Sequence, residues 1–149
     1  MLRYFYLFMA FIAGTILPIQ AALNGKMGKA VQHPMVAAFI SFSVGALALL
    51  LYLLLARQPL SLTMAYKQAP WYAWLGGVIG TFYVVASIVL LPRLGVALTF
   101  GLVIAGQLFI SLLMDHYGWL GVPIRPINLY RIAGVVLLII GVVLIRTSK

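Results

Sequence analysis

The chain of 149 residues lacks cysteine and has a single acidic residue, Asp115. Without cysteine there is no disulfide, thiolate metal site or cysteine nucleophile. One carboxylate cannot form the pair that general acid–base chemistry needs, and no metal-ligand cluster or Ser/His/Asp arrangement stands at suitable spacing. No enzymatic activity, metal or cofactor is therefore expected. Charge of either sign is scarce, at 7% of residues, where a soluble domain carries about 25%. So few polar residues cannot cover a water-facing surface, which excludes a soluble globular domain. The ten Lys and Arg residues give a net charge of +9, yet they punctuate long apolar runs instead of clustering on a polar surface. That pattern argues against nucleic acid as a partner.

What the sequence has in abundance is apolar side chains, 65% of the total. Five runs are long enough to cross the hydrocarbon as helices, which takes about 20 residues each. They cover residues 4–23, 34–56, 71–91, 96–114 and 129–145. The runs are continuous and not alternating, so a β-barrel is not expected. The predicted fold is an all-α integral membrane protein with five transmembrane helices in one domain, 1–149. Pro34 suits a first helical turn. Trp71, Tyr72, Trp74, Tyr117, Trp119 and Tyr130 fall near span ends, as aromatic belts do. Between spans, 24–33, the five-residue turn 91–95 and the Gly/Pro-rich 115–128 read as short polar loops. The stretch 57–70 reads as an interfacial segment. Arg3 and Gln20-Ala21-Ala22 only faintly resemble a cleavable leader, and the first span is expected to be retained.

An odd number of spans sorts the cations onto two faces. Arg3, Arg57, Lys67, Arg125 and Arg131 fall on one, and Lys26, Lys29, Arg93, Arg146 and Lys149 on the other. This balance leaves no positive-inside excess to fix orientation. It predicts dual topology, with a fixed orientation set by the first span or a partner as the alternative. An antiparallel pair of identical chains would supply the inverted half from which many transporters are built.

Polar side chains mark the helix faces that meet protein or water. Gln20 and Asn24 share a face of the first span; Asn24, followed by Gly25, also reads as the end of its helix. In the third span Gly76, Gly80, Tyr83 and Ser87 form one stripe. Ala38, Ser41, Gly45 and Ala48 do so in the second, and Gln107, Ser111 and Asp115 in the fourth. The serines can satisfy themselves on their own backbone carbonyls, and the glycines can serve helix packing. Gln20 and Gln107 need other partners, as interhelical glue or as substrate contacts. Asp115 and His116 do not face each other on a helix, and an ion pair of Asp115 with Arg125 or Arg131 is the expected structural role. His33 reads as an exposed loop residue. Gly134 and Gly141, seven apart on the last span, permit close helix approach.

The stretch Gly14-Thr-Ile-Leu-Pro-Ile-Gln-Ala-Ala-Leu-Asn24, the turn Leu-Pro-Arg93-Leu-Gly95 and the run from Gly106-Gln107 through Ser111 to Asp115-His116-Tyr-Gly118 resemble the YdcZ-like family of the drug/metabolite transporter superfamily. The resemblance implies a bacterial inner-membrane protein of five helices, occurring as homodimers, paired genes or fused copies. The Gly134–Gly141 spacing is similar to the dimerising last helix of small multidrug-resistance transporters. Those relatives carry a glutamate in the first helix, where this chain has no acid. Many superfamily members have Gly-Glu where Gly106-Gln107 stands here. An acid-free cavity suits a neutral, zwitterionic or anionic substrate better than an organic cation.

The leading expectation is thus a secondary transporter or exporter of small molecules, working by alternating access in an antiparallel homodimer. Gln20, Asn24, Tyr83, Ser87, Gln107 and Ser111 would bind substrate, and Gly134 and Gly141 would form the dimer interface. Its partners would be a second copy of itself, the lipid bilayer and a small-molecule substrate. The alternative is a non-transporting interaction subunit or half of a heterodimeric transporter. An intramembrane enzyme or a channel ranks lower, the latter because no ring of charge lies within a span.

Overall fold

A computed structural model describes residues 2–147; Lys149, counted among the cations above, lies outside the described residues. Six α-helices follow one another, α1 (Leu2–Ala30), α2 (Pro34–Leu55), α3 (Leu62–Gln68), α4 (Leu75–Leu94), α5 (Val96–Tyr117) and α6 (Leu129–Thr147), with no strand among the described residues. Five helical segments have the length and composition to cross a membrane: α1, α2, Trp71–Leu94, α5 and α6. Their surfaces are apolar, and Phe39, Leu55, Phe82 and Leu129 are all largely exposed. Water would not tolerate such a surface, whereas lipid does.

Several boundaries differ from the sequence reading. α1 does not end at Asn24 but continues to Ala30. Its 29 residues span about 43 Å, beyond the roughly 30 Å hydrocarbon core. Lys26 and Lys29 lie in its last turns, beyond the apolar run 4–23. The five-residue turn at 91–95 shrinks to one residue. Helix α4 carries Pro92 within its last turn, and the break falls at Gly95, at φ 79°. Such a backbone angle suits glycine, which has no Cβ to clash. The segment between α2 and α4 holds the short helix α3, all but one of its residues exposed, and a single 3-10 turn at Trp71–Trp74.

The chain forms two compact units, one up to Arg93 and one from Leu94 onward. In the first, α1 packs on α2, and Ala37 and Ala38 of α2 form a small core with Val84 and Ile88 of α4. Gly28 lets α1 approach closely: a Cβ there would lie 3.0 Å from Ile88 Cγ2 and 3.8 Å from Ala37 Cβ. In the second unit α5 packs on α6. Here the close approach is at Gly101, where a Cβ would lie 3.0 Å from Val142 Cγ2.

Candidate functional site

The cleft of the first unit lies between α1 and α4. Two polar residues of α1, Gln20 and Asn24, stand one turn apart, and Tyr83 and Ser87 face them from α4. Leu17, Ala21 and Val84 supply the apolar part of the wall. The accessible space is only about 10 Å³, the room of about one water molecule. That is far below the roughly 300–1,000 Å³ of a drug-sized pocket. The cleft thus has room for a single small polar group, not for the body of a ligand.

Its polar groups differ in how they are satisfied. Ser87, 4% exposed, donates its hydroxyl to the Tyr83 carbonyl at 2.8 Å. This is the self-satisfied serine that helix geometry allows. Tyr83 is different: its hydroxyl is buried with no hydrogen-bond partner among the described residues. Asn24 is 8% exposed, and its amide makes no side-chain hydrogen bond among the described residues. A buried polar group without a partner costs about 1–3 kcal/mol. The Tyr83 hydroxyl is such a group and is the feature to explain, while the Asn24 amide, on a buried residue, still reaches the surface. Gln20, on the exposed side of α1, completes the rim.

Four of the six expected binding residues are thus brought together. Gln107 and Ser111 belong to the second unit, on an exposed stretch of α5. There Ser111 donates to the Gln107 carbonyl at 2.6 Å, so its hydroxyl is spent on its own helix. The sequence reading missed Leu17, Ala21 and Val84, although 17, 21 and 24 follow helical spacing and could have been read from the Gln20–Asn24 face.

The second unit holds a different polar cluster. Asp115 Oδ2 accepts a bond from Arg131 Nη1 at 3.0 Å, and the same nitrogen donates to the Arg125 carbonyl at 3.2 Å. Of the two arginines that the sequence offered, Arg131 takes the carboxylate. The Arg125 N–H donates to the Asp115 carbonyl at 2.7 Å, and the Ile127 N–H to His116 Nδ1 at 3.2 Å. Gly118 ends α5 in the left-handed region, at φ 65°. The end of α5 thereby ties the loop before α6 into place, with Arg125 held through its backbone. Gly134 and Gly141 have no atom within 4 Å of where a Cβ would stand. The α5–α6 contact does not use them. Among the described residues no group of three His, Cys, Asp or Glu could hold a metal ion.

The family described as "Putative inner membrane exporter, YdcZ" matches residues 5–144. The chain belongs to this family. Among curated proteins it is similar to the inner membrane protein YdcZ of Escherichia coli (strain K12), 35% identical over 71 residues. That alignment covers 48% of this chain and 47% of the relative, so the matched segment spans about half of each. No solved structure matches. Family membership and five apolar helices together make this a multi-pass inner-membrane protein.

Proposed function

We propose that the chain is a small-molecule exporter that works by alternating access as an antiparallel homodimer of dual topology, with the α1–α4 cleft on the substrate path. The observation that carries the reading is the cleft itself. In a family described as exporters, it gathers Gln20, Asn24, Tyr83 and Ser87 and leaves the buried Tyr83 hydroxyl and the Asn24 amide without partners. The small volume fits one half of a path that a second copy completes. The balanced cations support insertion in both orientations. The open faces at Gly134 and Gly141 leave room for another helix to approach. Gln107, exposed on α5 and an amide that lipid cannot satisfy, is a further contact for substrate or for the second copy.

The absence of native cysteine allows a direct test. Single cysteines at Gln32, Ser61 and Thr147 are probed in intact cells with an impermeant thiol reagent. Dual topology gives partial labelling at all three. Full labelling at Ser61 with none at Gln32 and Thr147, or the reverse, means one orientation and removes the antiparallel homodimer. Transport is tested by efflux of neutral, zwitterionic and anionic organic solutes from vesicles that hold this chain alone. Efflux that falls with Gln107→Ala, while dimerisation stays intact, places that residue on the path. No efflux of any solute sinks the exporter reading and leaves a subunit that needs a different partner chain.

A further inference from the structure

We infer that the α1–α4 cleft receives the oxyanion end of a small organic anion, such as a carboxylate, bound by the uncharged donors Tyr83, Asn24 and Gln20. The inference rests on the proposal that this cleft lies on the substrate path, and it narrows the substrate to one charge class.

The donor count comes first. The Tyr83 hydroxyl is a donor with nothing to receive its proton among the described residues, and Asn24 is a nine-tenths buried residue whose amide is unpaired and still reaches the surface. Gln20 brings a further N–H₂ to the rim. Each of these can donate to an oxyanion, and hydrogen bonds with one ionised member are roughly twice as strong as neutral ones. An organic cation would meet only amide and hydroxyl oxygens here. The first 93 residues contain no carboxylate, and the one acid of the chain, Asp115, is engaged with Arg131 in the other unit.

The surrounding charge points the same way. The cleft lies near the C-terminal ends of α1 and α4, which are brought together by the Gly28–Ile88 contact. Beyond the cleft residues those ends carry Lys26, Lys29 and Arg93, all exposed. Lys26 and Lys29 stand about 3 and 7.5 Å further along the α1 axis than Asn24, and Arg93 about 9 Å beyond Ser87 on α4. These separations are within about one Debye length at physiological salt. The two helix C-termini offset about half a unit charge each. Three cations still leave that end positive, which draws anions toward the mouth. Asn24 directly follows the apolar run 4–23, and near the end of such a run a bound charge avoids the full cost of the membrane centre. The accessible space, about 10 Å³, takes a group the size of one carboxylate oxygen, and the body that follows it stays at the open mouth.

The test uses the purified full chain in phosphatidylcholine nanodiscs, with thermal unfolding followed by the fluorescence of its three tryptophans. The probes are benzoate, its neutral analogue benzamide and the cation benzamidinium, all of one shape. Benzoate is expected to raise the unfolding temperature in a saturable way. Benzamide should half-saturate at about tenfold higher concentration, as should benzoate on Tyr83→Phe, that being the worth of one charge-assisted hydrogen bond. Asn24→Asp, of nearly the same shape, should abolish the benzoate response and create one to benzamidinium. Equal responses to benzoate and benzamide overturn the charge assignment. So does a wild-type response to benzamidinium alone. No response to benzoate overturns the inference outright, as does a benzoate response that Tyr83→Phe and Asn24→Asp leave unchanged. Stabilisation by added phosphatidylglycerol that depends on Tyr83, without one by benzoate, assigns the cleft to a lipid headgroup and also overturns it. The exporter reading fails separately: benzoate binding without efflux of any solute removes transport and keeps the site. Efflux of other solutes without benzoate binding does the converse.

Discussion

The two units treat their polar residues in opposite ways. In the second, the side chains of Asp115, His116 and Arg131 and the backbone of Arg125 have partners, and the bonds run from the end of α5 into the loop before α6. In the first, the buried Tyr83 hydroxyl and the amide of Asn24 line a cleft and bond to nothing among the described residues. The sequence reading gave Asp115 an ion pair with Arg125 or Arg131, and the Arg131 contact agrees with it. It left Gln20 and Gln107 open between interhelical glue and substrate contact. Satisfied polar groups hold a loop, whereas unsatisfied ones are kept at a cost that a ligand can recover.

Substitutions can break or sharpen this contrast, because the fold should depend on the paired groups and not on the unpaired ones. The largest effect is expected at Gly118. Its φ of 65° disfavours any side chain, and a Cβ would lie 2.8 Å from Ile124 Cγ1. Gly118→Val should cost about 3 kcal/mol, combining left-handed strain with overlap, and show as a clear fall in the thermal midpoint. A midpoint unchanged by that substitution would mean that the loop yields freely. Next is Asp115→Asn, which keeps the shape and removes the charge. Both partners are partly exposed, so the loss should be about 0.5–1 kcal/mol. It should shrink further at high salt, measurable in the same melts. His116→Ala strands the Ile127 N–H, and the access of water to that loop limits the loss to about 0.5–1 kcal/mol. Faster amide exchange at Ile127 would report it directly. The smallest change in stability belongs to Tyr83→Phe. Removing a hydroxyl that has no partner should leave the melt within about 0.5 kcal/mol or raise it. A loss above that range would show that Tyr83 has a structural partner and would dissolve the contrast.

Much of this organisation was legible in the sequence. The five apolar runs gave the five spans, because a helix that must satisfy its backbone within lipid needs an uninterrupted stretch of about 20 residues. The four-residue spacings of Gln20 with Asn24 and of Tyr83 with Ser87 placed each pair on one face. The pairing of Asp115 was narrowed to Arg125 or Arg131, and geometry chose Arg131. The end of α1 was misread for a physical reason. Asn followed by Gly is a common helix stop, but here Asn24 is packed inward and Gly28, one turn on, is needed for contact with Ile88. Tertiary packing overrode the local signal. Pro92 misled similarly: it cannot donate the usual bond to the carbonyl four residues back, yet α4 runs through it to Leu94 and the chain breaks only at Gly95.

Composition alone determined that the chain lives in a membrane, since 65% apolar and 7% charged residues leave no water-compatible surface to build. The order of residues also determined that no carboxylate lies in the first 93 residues. Which polar groups are partnered was decided only by the tertiary structure. A hydrogen bond depends on atoms meeting within about 3 Å, and residues far apart in the chain, such as Asn24 and Tyr83, are set beside one cleft by helix packing that no local spacing encodes.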